Sequence, residues 1–393
     1  MIYLSIVVLL VLLSIRYDIK GKTLYKDEWY IFVLVVFVLL AGLRWRLCMD
    51  TPNYIDDFYD KYPNLQDFSL EDFPIGKDPL YAFINSIVKT LGGRFYIVQL
   101  VEAAFVNILV LHYLRRHCQY LFIAILFYAL TCYIGFSMEI MRAAMSIALS
   151  LYVNDFFLEK KWVKGYLLLL IGCLIHAQTI VLLVLPLFLF LRFNKIGLII
   201  VICAFFIGKI LQPLVTEYLI LLEGVENISN KAAGYLESDQ YGGRGGNLNF
   251  MIVHVFPCLI YGMISLLYLK WKKTNLDLMR FEPFIMLGFL FLIIQINLQI
   301  AYRYVDYYSI YFVIFLSEAF GSWTLQSDKL TKLLAYVRTF VFFVPFFFLY
   351  NYFFVIHLEC IYPYSSVIDR TVNDQREAFY NSSDRSKANI DRY

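Results

Sequence analysis

The sequence predicts an all-α, polytopic integral membrane protein with about twelve transmembrane helices, including one short outward hairpin. Three observations lead there. The chain is 61% hydrophobic and only 17% charged, and its mean hydropathy is +0.65. Apolar segments of roughly span length recur from end to end. Backbone groups in lipid must bond within their own segment, so these segments should be helices.

The expected spans are residues 1–15, 29–45, 95–114, 119–136, 140–158, 165–176, 177–191, 196–213, 250–269, 283–301, 304–323 and 335–357. The first has neither a basic leader nor a small-x-small cleavage site, so it reads as an uncleaved helix. Basic residues sort the connections. Arg16, Lys20, Lys22 and Lys26, then Arg115 and Arg116, then Lys160, Lys161 and Lys164, then Arg192 and Lys195, then Lys270, Lys272, Lys273 and Arg280, and finally Lys329 and Lys332 all fall to the cytoplasm. The alternate loops, 46–94 and 214–249 above all, are outside, as are both termini. Residues 1–357 form one membrane domain, and 358–393 a polar outer tail.

The sorting carries two conditions. Residues 79–93, "PLYAFINSIVKTLGG", must form an amphipathic helix in the outer interface, lying on it or re-entrant, without crossing. The 27 residues between Lys164 and Arg192, which bear no formal charge, must go out and return. A single helix of that length would be about 40 Å long against a bilayer core of about 30 Å, and two full crossings need about 40 residues. A short hairpin solves this, with His176 at its tip on the floor of an outward cavity, because a polar turn at that depth needs protein or water around it.

Other polar residues reach the same face. Arg44, Arg46 and Asp50 end the second span in "GLRWRLCMDTPNY", which also contains Tyr54. An acid-rich loop closes with Asp78 before Pro79, a cap-and-first-turn pair. Arg142 opens an outside-starting helix, and Arg303 and Tyr304 occupy a short outer turn. Such arginines suit an anionic ligand. The competing readings are local: Arg44 and Arg46 snorkelling to headgroups, Arg142 paired with Glu139, Arg303 paired with Asp306, and Asp78 acting only as a cap. His112, His117, His254 and His357 have no comparable company.

Several chemistries lack their residues. There is no P-loop, G-x-S-x-G, H-E-x-x-H or C-x-x-C pattern, and no metal-ligand spacing, so neither a metal nor another cofactor is expected. Cys48 and Cys360 fall on one face, but a disulfide between them is not expected. A net charge of +3 gives no reason to expect a nucleic-acid partner. Glycines at 242, 243, 245 and 246 suggest that loop 214–249 gates the cavity.

The order "GLRWRLCMDTPNY", "GKDPLYAFINSIVKTLG", "MRAAMSIALSLYV", "LIHAQTIVLLVLPLF" and "AYRYVDYY" resembles the EpsG family over about residues 30–320. The chain departs from the family pattern with Cys48 in place of a glycine and Asp78 in place of a glutamate. The resemblance implies a Wzy-like polymerase of capsule, exopolysaccharide or O-antigen, a glycosyltransferase of the bacterial inner membrane. It would join undecaprenyl-diphosphate-linked repeat units on the outer face, among membrane lipids and alongside a flippase and chain-length regulators. It would draw catalytic groups from His176, Asp50 and Asp78, and diphosphate or sugar contacts from Arg44, Arg46, Arg142, Arg303, Tyr54 and Tyr304. A flippase of lipid-linked glycans and a glycan-modifying membrane acyltransferase remain the rival readings.

Overall fold

The computed structural model describes residues 2–73, 78–221, 251–273, 277–298, 301–325, 332–351 and 357–382, the backbone alone at 214–221 and 381–382. The glycine-rich stretch of loop 214–249 and the last residues of the tail lie outside the described residues. Among the described residues the chain is helical throughout, with no strand beyond a single antiparallel bridge between Arg44 and Ser366. The helices are α1 (Ile2–Leu13), α2 (Lys26–Gly42), α3 (Thr51–Asp56), α4 (Pro79–Thr90), α5 (Phe95–His117), α6 (Leu121–Thr131), α7 (Met141–Leu158), α8 (Trp162–Ile175), α9 (Lys195–Leu221), α10 (Phe256–Lys272), α11 (Glu282–Ile294), α12 (Tyr302–Leu325), α13 (Lys332–Tyr350) and α14 (Asp374–Ser382).

Among the described residues, five helical stretches are long and apolar enough to cross a membrane: Ile2–Ile19, Phe95–His117, Lys195–Pro213, Met251–Lys272 and Lys332–Tyr350. Three shorter apolar helices accompany them, Leu121–Thr131, Trp162–Ile175 and Ala177–Phe188. Isoleucines, leucines and phenylalanines stand exposed along these stretches, for example Ile199, Ile202 and Phe206 on α9. That is the surface a lipid solvent requires.

The chain groups into two compact units, one of residues 1–186 with 353–393 and one of 187–352. In the first, α2 packs along α5, α7 packs against both α5 and α8, and α1 packs against α6. Ionic groups hold one end of this unit: Arg115 pairs with Asp27 at 3.0 Å, and Asp155 takes Arg116 at 3.5 Å and His117 at 3.2 Å. Asp18 accepts the N–H of Ile123 at 2.8 Å, placing a carboxylate on an orphan donor at the start of α6. In the second unit, α11 packs between α9 and α12, and α10 packs on α12. There Glu282 accepts the N–H of Phe193 at 2.5 Å and pairs with Lys270.

The helix expected at 79–93 forms as α4. Its buried face carries Tyr81, Ala82, Asn85, Ser86 and Val88. Lys89 near its end turns its ammonium to the carbonyls of Phe58, Tyr59 and Tyr62, at 3.2, 2.8 and 2.7 Å, and so ties α4 to the preceding loop.

The C-terminal segment is folded onto the stretch that follows α2. Trp45 N–H donates to Ser365 carbonyl, and Cys48 N–H to Cys360 carbonyl, both at 2.9 Å. Both cysteines are fully buried free thiols. The Tyr380 hydroxyl reaches the carbonyls of Arg46 and Cys48 at 2.9 and 2.8 Å.

Candidate functional site

The run from Lys164 to Arg192 breaks at His176. Helix α8 ends at Ile175, His176 is extended at φ −149° and ψ 112°, and a 3₁₀ helix follows over Ala177–Phe188. Thr179 folds back onto α8: a Cβ at Gly172 would meet its methyl at 3.0 Å, so Gly172 is where the turn needs room. The two arms are about 21 Å of α-helix and about 24 Å of 3₁₀ helix, each short of a bilayer core of about 30 Å.

Asp78 organises the tip. It precedes Pro79 at the head of α4 with φ at +56°, a left-handed conformation uncommon for aspartate, and its side chain does not cap its own helix. Instead, Oδ1 accepts the N–H of Ala177 at 3.0 Å, capping the 3₁₀ helix across the fold. Oδ2 takes Arg142 Nη1 at 2.8 Å and faces His176 Nδ1 at 3.6 Å. His176 Nε2 lies 3.3 Å from Gln178 Oε1. Burial by itself raises the Asp78 carboxyl; the imidazole, the Arg142 guanidinium and the Ala177 N–H outweigh it and hold the group below its usual range.

Arg142 lies among tyrosines. Its guanidinium lies 5.5 Å from the ring centre of Tyr54 and 5.9 Å from that of Tyr81, and its Nε has no hydrogen-bond partner. Tyr62 joins this group, 6.2 Å from Tyr81 ring to ring. Burial pushes the Tyr54 phenol up to about 12 and the Tyr62 phenol higher still, so both keep their protons at neutral pH. The local partner proposed for Arg142 is engaged elsewhere: Glu139 accepts the N–H of Met49 at 2.8 Å.

The remaining candidates are placed differently. Arg44 is fully buried and donates to the carbonyls of Ala41 and Met138, at 2.6 and 3.0 Å. Arg46 is also buried and grips Glu377 of α14 with two hydrogen bonds, 3.0 and 2.8 Å, beneath the tail. The structure therefore gives both arginines protein partners. Asp50 precedes α3, half-exposed and making no cap bond. Arg303 and Tyr304 belong to the second unit, where Arg303 Nε lies 3.4 Å from the Tyr302 hydroxyl and Tyr304 packs on Phe291, ring centres 5.4 Å apart.

Sequence reasoning passed over Tyr62, Tyr81, Gln178 and Glu102. Glu102, a carboxyl in the apolar stretch "FYIVQLVEAAFVNILV" of α5, is the signal that was available. No group of three or more histidines, cysteines or acids poised for a metal ion occurs among the described residues.

No curated protein and no solved structure matches the chain. The EpsG family model matches residues 28–366, a stretch that contains all but the first two residues of α2, and Asp78, Arg142, the His176 turn and α12. Nearly the whole chain is covered, and the protein belongs to the EpsG family.

Proposed function

We propose that the protein polymerises lipid-linked oligosaccharide repeats on the outer face of a bacterial inner membrane, with undecaprenyl diphosphate as the leaving group. EpsG membership implies a Wzy-like polysaccharide polymerase in general terms. The observation that carries the finer reading is the Asp78–His176–Arg142 cluster, in which one carboxylate holds an imidazole and a guanidinium with a spare donor at the break of an apolar run. In this reading the shorter helices complete about twelve crossings, α4 lies in the outer interface, and the break at His176 faces outward.

The chemistry follows from the parts. The acceptor sugar hydroxyl attacks the anomeric carbon of the donor as the carbon–oxygen bond to the diphosphate breaks. His176 takes the hydroxyl proton on Nε2, its Nδ1 keeping a proton toward Asp78, which requires the Gln178 side chain to turn its amide oxygen away from Nε2. Asp78 is the positioning residue, since its two oxygens are already committed. Arg142 meets the charge that builds on the departing diphosphate; a planar, permanently charged fork fits phosphate oxygens. The tyrosines around Arg142 offer faces for sugar rings. Energy comes from the lipid diphosphate, so no nucleotide is required.

The test is genetic. In a cell that makes the repeat, His176→Ala is expected to abolish polymer while the protein inserts at normal abundance and single lipid-linked repeats collect on the outer face. Repeats collecting on the inner face would point to a flippase instead. Normal polymer would overturn the reading.

A further inference from the structure

Beside the cluster, α4 and α5 bring together buried polar atoms that lack hydrogen-bond partners. They are the Tyr81 hydroxyl, Asn85 Oδ1, Ser86 Oγ and both carboxyl oxygens of Glu102. Tyr81, Asn85 and Glu102 are each 1% exposed and Ser86 is fully buried. The two helices pack together, and the Glu102 carboxyl is near enough to the Tyr81 phenol to act on it. Buried polar groups are almost always satisfied, and a carboxyl inside a membrane-spanning helix is costly to keep. The Arg44 guanidinium acts on Glu102, yet neither carboxyl oxygen has a hydrogen-bond partner. Such a row is therefore explained by an occupant that supplies the missing partners.

We infer that Tyr81 and Glu102, with Asn85 and Ser86 beside them, form the inner end of the site and bind the hydroxyl groups of the sugar next to the donor's diphosphate. The inference rests on the polymerase reading above. Three features select a sugar. A phenol, a carboxamide oxygen, a hydroxyl and a carboxyl match alternating hydroxyl donors and acceptors. The row holds no cation, so the diphosphate goes to Arg142, whose guanidinium sits over the Tyr81 ring. Tyr54 and Tyr62, with ring centres 6.3 and 6.2 Å from Tyr81, supply apolar faces of the kind sugar rings stack on. Tyr81 thus joins the two subsites, its ring under the cation and its hydroxyl within the field of Glu102.

The experiment uses purified full-length protein and lipid-linked repeats extracted from a strain lacking it. Tyr81→Phe removes one oxygen and keeps the ring, and Glu102→Gln keeps the shape. Each is expected to raise the apparent KM for the repeat by about 10- to 100-fold, the scale of one lost buried hydrogen bond to a polar or charged group, with a much smaller change in kcat and an unchanged melting temperature. An unchanged KM in Tyr81→Phe would overturn the inference and leave water as the occupant. A lower melting temperature with normal kinetics would overturn it in favour of a structural role. If Glu102→Gln does not fold, Tyr81→Phe decides. His176→Ala runs alongside: if it too retains activity, the fault lies in the polymerase site reading; if it is dead while both variants are normal, only the sugar subsite fails.

Discussion

The Asp78 carboxylate bonds the backbone N–H of Ala177 at 3.0 Å, across 99 positions of sequence. One residue thereby starts a 3₁₀ helix, faces the imidazole before it and anchors Arg142. The geometry of the His176 turn depends on that carboxylate being ionised.

Its pH dependence has a definite sign. Asp78 is held below the ordinary carboxylate value of 3.8 in the folded protein. A lowered carboxyl contributes stability that is fully present above the unfolded value and is lost as pH falls through the folded one. Melting temperature in detergent is expected to fall below about pH 4. Asp78→Asn should lower it at neutral pH, by about 1.5–3 kcal/mol of stability, and flatten part of that acid limb. An acid limb identical in the variant would remove Asp78 as its source.

Arg142 should resist conservative replacement. Lysine keeps the charge but offers one ammonium where the fork serves both Asp78 and the diphosphate. Polymer per molecule of Arg142→Lys is expected to drop by at least about tenfold, equal to the loss of about 1.4 kcal/mol of transition-state binding. Full activity in the lysine variant, measured against protein abundance, would reduce Arg142 to a bridge.

Much of the centre was legible because its residues break a pattern. His176 interrupts 27 uncharged positions, Asp78 precedes a proline, and Arg142 opens an apolar helix. The partners were not legible. Asp78 reads locally as a cap of α4, yet its bond runs to Ala177. Arg46 reads as an exposed cation, yet Glu377 lies 331 residues away and buries it. Glu139 stands three residues before Arg142 but turns to Met49. In each case a tertiary contact won over a helical neighbour. The fold class followed from hydropathy, whereas the 3₁₀ arm after His176 did not, since periodicity does not separate it from an α-helix in so uniform a run.

The tail clamp makes a separate prediction. Cys48 and Cys360 are shielded by the contacts around Arg46, Glu377 and Tyr380. In the native protein neither should react with a maleimide until detergent denaturation. Glu377→Ala removes the carboxylate that the buried Arg46 guanidinium grips with two hydrogen bonds, at a cost of about 3–5 kcal/mol, and should make both thiols reactive under native conditions. Silence of both thiols in that variant would show that the tail is held without the ion pair.

Orientation can be read by the same chemistry. The basic groups predict that residues 270–282 lie inside and both termini outside. A cysteine introduced at Lys273, in a background without other reactive thiols, should be protected from an impermeant reagent in intact cells, and one introduced at Asp369 should be labelled. The opposite pattern would invert the topology and put the His176 turn on the cytoplasmic side.

The most direct measurement combines purified protein with extracted lipid-linked repeats, without ATP or any other membrane protein, and resolves the products by size. A ladder of polymer that grows with time and is absent from His176→Ala is the expected result. Single repeats that remain single with folded wild-type protein, or a ladder that forms equally well in the His176 variant, would contradict a polymerase centred on His176.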